Sequence, residues 1–354
     1  MRKRALSFLL AGAMVLGGAA HAGVTGSEVV PEQRRGVEQT FLTYPEWFLV
    51  PSPAEYARYV EAHPSHGFPF LGHVGQIWSS YASVTREQVR ADYPGNVGYH
   101  VMIGVIATST TAEYGLRSAY ENTLGRISSA SAGGRLTAED HYGAAVAQDY
   151  VDFIRKEPWY LYDFSAKLGG LWKDTPAWGP DMLRKWERRY ALTTEYLVKA
   201  AYGKLIKLAT AAAYDPALMT TQVVAANIPA GWTPPEGVRL VRPLPDGRAV
   251  LDLPRYYAFR IAATRLAEQG VALVDIAGND TVILVTVLGA DDKRTDADAG
   301  AGAWPAGSRV LFSQPILTEA GRRRTALVLP VAALSPFLAG ARQQGIEVEH
   351  VYDY

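Results

Sequence analysis

The hydrophobic period changes once along this chain, from helical to strand-like, and this change constrains the fold class. Between about positions 37 and 214, apolar residues recur at helical spacing, as do Tyr56 and Val60, four residues apart on one face. From about position 248 they form short apolar runs, and the almost unbroken run 282–288 is typical of a central strand. We therefore predict an α+β protein, with a helical domain followed by one that contains a sheet.

The helical region resembles itself when it is shifted by 94 positions. The shift aligns aromatic and proline residues with similar ones, among them Tyr56 with Tyr150, Pro64 with Pro158, Phe70 with Phe164 and Trp78 with Trp172. A second match, at a slightly shorter offset, aligns residues 113–120 with 195–202. We predict an all-α domain over 23–215, built from two duplicated units, about 42–127 and 136–210, related by a pseudo-twofold axis.

The C-terminal part is predicted to be a second domain that follows a linker. Residues 216–243 contain five prolines and no long periodicity, which favours an extended Pro-rich linker. In 244–354, a strand–helix–strand segment at 249–276 is echoed by another at 325–352. Because two such units around one antiparallel sheet form the ferredoxin-like arrangement, we predict a ferredoxin-like α/β sandwich over 244–354.

The first 22 residues have the pattern of a secretion signal. Three basic residues at positions 2–4 precede an uncharged, mostly apolar run over 5–19, and Ala20 and Ala22 supply the small residues that a signal peptidase reads. We predict export to the periplasm or the extracellular space, with cleavage after Ala22. An uncleaved N-terminal membrane anchor is the alternative.

Composition excludes several classes of function. The chain has 35 basic and 35 acidic residues and a formal net charge of zero, so we expect no nucleic-acid partner. It has no cysteine, which excludes disulfides, a thiol nucleophile and a thiolate metal site. Gly-x-Ser-x-Gly and the Walker motif are also missing. Contact with a membrane is expected only through an uncleaved signal or a peripheral surface.

The segment from Glu61 to His73 is the candidate metal site. His63, His66 and His73, with Glu61, could supply nitrogen and oxygen ligands to a divalent metal. Their spacing matches no zinc motif such as His-Glu-x-x-His. The second copy of the repeat has no histidine at the matched positions, so surface histidines, or a specialisation of one half, are the alternatives.

His100 and Glu113 form the candidate catalytic pair. They flank an apolar stretch, and a buried glutamate next to a histidine can serve as a general acid or base. The alternative is that Glu113 pairs with Arg117, four residues on, as Glu195 pairs with Lys199 in the second copy.

Three further segments have both a structural and a functional interpretation. The basic run 184–189 is predicted to be the solvated face of a helix expected at 182–190, which a second helix at 193–213 follows. The acidic loop 291–298 is predicted to be solvated, with a weak calcium site as the alternative. The aromatic segments 44–50 and 158–164 are predicted to pack the two halves together, with a pocket for an apolar ligand as the alternative.

These patterns together favour binding over catalysis. We predict a non-catalytic protein of the cell envelope that binds an apolar small molecule or an envelope protein through its helical domain. The alternative is a metal-dependent enzyme that uses the segment 63–73.

Overall fold

The protein is described by a computed structural model that covers residues 26–213, 218–290 and 304–353. Helices and two antiparallel four-stranded sheets make up the fold, which confirms the α+β class. The predicted signal peptide and the acidic loop 291–298 lie outside these residues. Among the helices within them, none combines the length and the apolar character needed to cross a bilayer.

The chain divides into two compact units. The sheet unit comprises the described residues of Met1–Glu46, Trp78–Val105 and Ala217–Tyr354, and the helical unit those of Trp47–Ile77 and Ile106–Pro216. This division differs from the expected boundary near residue 215, because two stretches with helical periodicity belong to the sheet unit. Periodicity predicts a helix but does not indicate which partner its apolar face will cover.

The α-helices of the described residues are, in chain order, α1 (Gln39–Trp47), α2 (Pro51–Ala62), α3 (Phe70–Arg90), α4 (Val97–Tyr120), α5 (Arg126–Ser131), α6 (Ala138–Ile154), α7 (Phe164–Asp174), α8 (Met182–Ala213), α9 (Tyr257–Glu268) and α10 (Val331–Ala341). A π-helical turn, Glu121–Gly125, joins α4 to α5. Helix α8 is continuous over 32 residues, whereas two helices were expected. Neither glycine nor proline interrupts it near position 191, so the chain has no reason to break there.

A capping box fixes the start of α6. The side chain of Thr137 accepts a hydrogen bond from the Asp140 backbone N–H, and the Asp140 carboxylate accepts one from the Thr137 backbone N–H at 2.9 Å. These bonds satisfy backbone donors that a helix N-terminus would otherwise leave unpaired. They also hold the carboxylates of Glu139 and Asp140 at the N-terminus of α6.

The strands form two separate sheets. They are β1 (Thr220–Ala226), β2 (Arg239–Pro243), β3 (Ala249–Pro254), β4 (Ala272–Ile276), β5 (Val282–Ala290), β6 (Arg309–Pro315), β7 (Arg322–Pro330) and β8 (Glu347–Val351). The strand orders are β2-β3-β1-β4 and β6-β7-β5-β8, all antiparallel. Strands β1 and β2 lie within 216–243, so much of the expected linker is part of a sheet.

The expected single ferredoxin-like sheet is therefore corrected to two sheets of identical topology. Each consists of three strands, a helix and a fourth strand, and the central strand β1 or β5 separates the strands that the helix connects. The two similar strand–helix–strand segments lie in separate sheets, because each segment pairs with two further strands that the other segment does not contact. Even the register shifts correspond: Val224/Ala225 with Thr286/Val287, and Leu240/Arg242 with Val310/Phe312.

One apolar core joins both sheets. Inward-facing residues at alternate positions, such as Val223 and Ala225 in β1 and Val285 and Val287 in β5, belong to one cluster with residues of α9 and α10. Each four-stranded motif thus buries one face against the other motif, as a half-apolar sheet requires.

Helix α1 covers the other face of the second sheet. The Thr40 hydroxyl donates a hydrogen bond to the Tyr352 carbonyl at 2.8 Å and accepts one from the Leu284 N–H at 3.0 Å. The ring of Tyr44 packs on those of Phe312 and Tyr352. These contacts explain why α1 belongs to the sheet unit.

In the helical unit, ring contacts recur 94 residues apart. The rings of Tyr56 and Phe68 meet edge to face at 5.1 Å, and those of Tyr150 and Tyr162 do so at 5.2 Å. A short 3₁₀ turn at Ser65–Gly67 has a counterpart 94 residues further on, at Trp159–Leu161. The matched residues thus have matched neighbours and matched backbone.

Candidate functional site

The structure does not bring the four candidate metal ligands together. Glu61 and His63 are exposed, His66 is half-buried and His73 is fully buried. His63 stacks on Tyr59 at the end of α2, with ring centroids 4.8 Å apart. Among the residues described, no group of three or more His, Cys, Asp or Glu is placed to hold a metal ion. A metal-dependent reaction stays a prediction from the sequence alone.

The candidate catalytic residues His100 and Glu113 each have partners of their own. The Tyr81 hydroxyl lies 2.8 Å from His100 Nδ1, and burial lowers the pKa of His100. Glu113 Oε1 lies 3.6 Å from Arg117 Nη1 and 3.2 Å from Lys199 Nζ. The second distance extends the local pair predicted from the sequence to a contact between two helices.

Glu113, Arg117, Glu195 and Lys199 form a quartet of alternating charge. Arg117 lies 3.4 Å from Glu195, and Lys199 lies 2.8 Å from the same carboxylate. Burial alone would raise the pKa of Glu195, but the two cations outweigh it and hold that pKa at about 2. The formal charges of the quartet cancel, and each cation contacts both carboxylates, which favours a structural interpretation.

The cations of the quartet also lie over matched aromatic rings. The Arg117 guanidinium is 4.5 Å from the ring centroid of Tyr56, and the Lys199 ammonium is 5.6 Å from that of Tyr150. Both rings stand 94 residues apart in the repeat. Two rings that stand 94 residues apart are therefore each covered by a cation.

A buried polar chain lies at the start of α2. Ser52 Oγ is 3.1 Å from His73 Nδ1 and 2.8 Å from the Tyr114 hydroxyl, and His73 Nε2 is 3.5 Å from Glu55 Oε2. A serine, a histidine and a carboxylate in this order have the connectivity of a hydrolase triad. However, Ser52 is 2% exposed, and His73 and Glu55 are 0% exposed. A nucleophile must contact its substrate, so we interpret these buried polar contacts around Ser52 as a structural network.

Changing Ser52 to alanine is expected to destabilise the protein by about 1–3 kcal/mol, because two buried polar groups each lose a hydrogen bond. Chemical denaturation followed by circular dichroism measures the loss. Ser83→Ala is the matched control, since that partly exposed hydroxyl bonds only groups of its own helix, the Ser79 carbonyl and the Arg86 guanidinium. Equal stability of the two variants would contradict a structural network at Ser52.

The basic run at the start of α8 is buried, which corrects the prediction of a solvated face. Arg184, Lys185, Arg188 and Arg189 are each at most 4% exposed. The buried carboxylates that surround them are equal in number: Glu121, Glu139, Asp140 and Glu187. We call these eight side chains the ion network. Buried charges need partners of opposite sign, and here every one has them.

Direct contacts connect the ion network to α6 and the π-helical turn. Arg184 Nη2 donates to Asp140 Oδ1 at 2.6 Å, and Arg188 Nη1 donates to Glu121 Oε1 at 2.9 Å. Burial would raise the pKa of Glu139, but hydrogen bonds from Lys185 and Arg189 contribute to lowering it. A small cavity beside the network, lined in part by Ser65 and Arg188, has room for about one water molecule.

The outer face of α8 is apolar and exposed. Its large side chains, between 40% and 72% exposed, are Leu183, Trp186, Tyr190, Leu197, Val198, Tyr202, Leu205 and Leu208. Steps of three, four, seven and eight residues keep most of them on one side of the helix. We call these eight residues the α8 face. Contiguous exposed apolar surface marks an interaction site more often than scattered residues do.

The inner face of α8 fixes the orientation of the outer one. Leu192 and Tyr196 are buried in the core of the helical unit. A side chain at Gly203 would lie 3.2 Å from the Tyr160 carbonyl oxygen, so the helix backbone touches its neighbour there. The α8 face therefore stays on the outside as long as the helical unit is folded.

The ion network and the α8 face were both missed by sequence reasoning. A signal for the network exists, because residues 185, 189, 192 and 196 have the spacing of one helix face. Two of these are cations and two are core residues, so the face that buries Leu192 and Tyr196 extends back over the basic run. No protein-family model, no curated protein and no solved structure matches this chain.

Proposed function

We propose that the chain is an exported, non-catalytic binding protein of the cell envelope, attached to an apolar partner surface through the α8 face. The observation that carries this proposal is the apolar stripe from Leu183 to Leu208, exposed along one side of a 32-residue helix. Polar side chains are expected where a helix faces only water. A helix that faces water in one state and a partner in another can carry this pattern.

The state of the ionisable groups in the helical unit supports binding over catalysis. The charged and polar groups of the ion network, the quartet and the Ser52 chain are engaged by one another and by neighbouring protein groups. A general acid or base must reach its substrate, and these groups are turned toward one another. The described residues of this unit therefore support a binding surface better than they support a catalytic centre.

The finer fold assignments are also part of the proposal. We propose that the helical unit consists of two duplicated halves related by a pseudo-twofold axis, supported by ring contacts 94 residues apart and by cations that lie over rings 94 residues apart. Export with cleavage after Ala22 is proposed from the N-terminal sequence pattern. Cleavage would leave the α8 face as the means of attachment to the envelope.

Attachment can be tested with the variant Leu183→Ser/Leu197→Ser/Leu208→Ser. The full chain is expressed in a bacterium, the cells are broken, and the envelope membranes are sedimented. We expect the unmodified protein in the membrane pellet, and at least about tenfold less of the triple variant there, because apolar area drives such association.

The matched control is Val89→Ser/Val97→Ser/Leu240→Ser, which removes three exposed apolar side chains outside α8. Its distribution should equal that of the unmodified protein. Circular dichroism checks that both variants are folded. The proposal fails if the α8 variant stays in the pellet, or if the unmodified protein is soluble.

A further inference from the structure

We infer that the partner of the α8 face is the surface of a bilayer that contains anionic phospholipid. This inference rests on the proposed function and names its partner. It is carried by the C-terminal half of α8, where an exposed apolar arc that contains no acid lies beside two lysines without an ion-pair partner in the described part of the chain.

The apolar arc is broad. On a helical wheel, Leu197, Ala201, Leu205 and Leu208 lie within about 80° of one another. All four are exposed, and Val198 and Tyr202 extend the arc on one side. An arc of this kind can enter the boundary between headgroups and acyl chains along its length, without any need for the helix to cross the bilayer.

The charge beside the arc has one sign. Between Tyr196 and Ala213 the sequence has no Asp or Glu. Lys204 and Lys207 are exposed and lie on the margin of the arc opposite Tyr202. Lys199, by contrast, is engaged by the carboxylates of the quartet. Lysines at the edge of an apolar face can extend their ammonium groups to phosphate while their stems lie on apolar surface.

Aromatic residues on the α8 face suit the same surroundings. Trp186, Tyr190 and Tyr202 are 40%, 62% and 42% exposed. Rings with one polar atom are favoured at the headgroup level of a bilayer. The Trp186 ring is held in place by Trp172, 6.1 Å away, and by the Arg189 guanidinium 5.2 Å from its centroid. It is therefore presented outward without rearrangement.

A bilayer fits the charge better than a second copy of the chain does. In a symmetric dimer through this face, Lys204 and Lys207 would need carboxylates from the other copy. The exposed part of α8 from Tyr190 to Leu208 contains a single acid, Glu195, whose carboxylate is engaged by Arg117 and Lys199. An anionic lipid surface supplies the missing negative charge.

Sedimentation with lipid vesicles tests the inference. The full chain after export is mixed with vesicles of phosphatidylcholine, or of phosphatidylcholine and phosphatidylglycerol in equal parts. We expect binding to the anionic vesicles at least about tenfold tighter than to the neutral ones, decreasing as salt is added. Lys204→Gln/Lys207→Gln should weaken binding to anionic vesicles about 10- to 30-fold, at about 1 kcal/mol for each lysine.

Two variants complete the design. Lys156→Gln/Lys173→Gln removes two exposed lysines outside α8 and should leave binding unchanged. Leu197→Ser/Leu205→Ser/Leu208→Ser should abolish binding to both kinds of vesicle. Absent binding, equal binding to neutral and anionic vesicles, or no effect of the Lys204/Lys207 variant overturns the inference.

The outcome is separable from that of the proposed function. If vesicles are not bound but the Leu183/Leu197/Leu208 variant still leaves the envelope pellet, the face binds a protein and only the bilayer inference fails. If that variant also stays in the pellet, the proposed function fails with it.

Discussion

Changing Arg184 to methionine is expected to destabilise the helical unit by about 3–5 kcal/mol, because the variant leaves buried carboxylates without their counter-charge. The Arg184 side chain is 0% exposed and donates hydrogen bonds to Asp140, Glu187 and Ser128. Methionine has a similar length and no charge, so the variant tests the ions and not the volume. Chemical denaturation followed by circular dichroism measures the change.

Arg135→Met is the matched control for that variant. Arg135 also pairs with an aspartate, Asp181, at 2.7 Å, but its side chain is 68% exposed. A surface pair of this kind contributes little to stability, because solvent screens its charges. If Arg184→Met were as stable as Arg135→Met, the ion network would not be essential to the fold. The double variant Arg184→Met/Asp140→Asn should regain part of the loss, because it removes both members of a buried pair.

Asp353→Asn is expected to stabilise the sheet unit above neutral pH. The Asp353 carboxyl group is buried two residues beyond the end of β8, and Arg255 Nε lies 3.9 Å from its Oδ2. Burial raises the pKa of Asp353 to about 7, although Arg255 and backbone hydrogen bonds oppose the rise. Ionising this group inside the folded protein is therefore unfavourable.

The sign of the pH dependence follows from that shift. Between about pH 4 and pH 7 the folded protein keeps a proton on Asp353 that the unfolded chain has released. The free energy of unfolding therefore falls as the pH rises through this window. The asparagine variant does not ionise, so it should match the unmodified protein near pH 4 and exceed its stability at pH 8 by up to about 4 kcal/mol.

Asp246→Asn provides a control of opposite sign. A hydrogen bond from Arg248 lowers the pKa of that exposed carboxyl group, so its loss should give no gain at pH 8. Denaturation curves at pH 4, 6 and 8 for the three proteins make the comparison. A constant difference between Asp353→Asn and the unmodified protein at all three pH values would show that Asp353 does not titrate near neutrality.

Local features of the fold could be predicted from the sequence. The capping pair Thr137 and Asp140 marks the start of α6 because the required atoms are three residues apart. The offset of 94 aligns Tyr56 with Tyr150, whose ring contacts then match. The change of period near residue 248 predicts sheet after helix. Each of these depends on neighbours along the chain.

The features that were predicted wrongly from the sequence depend on contacts between residues that are far apart along the chain. Two similar strand–helix–strand segments can form one sheet together or can each form part of a separate sheet. Here they form two sheets, because β1 and β2 pair with the first segment and β5 and β6 pair with the second. Arg184 is bonded to Asp140 and is not exposed to water because α6, which carries Asp140 44 residues away in the sequence, packs beside it. His63, His66 and His73 are close in sequence, but the bend between α2 and α3 separates them into exposed and buried positions.

The sequence by itself determined the secondary-structure class, the residue matches at an offset of 94 and the N-terminal signal pattern, since these follow from spacing and composition. Only the tertiary structure decided which amphipathic faces are covered. Helix α8 has one face rich in cations and one rich in leucine, and the sequence does not show which of the two is buried. The cationic face is buried because Glu121, Glu139 and Asp140 converge on it, and the apolar face is left outside. Burial of charge depends on partners that only the fold can supply.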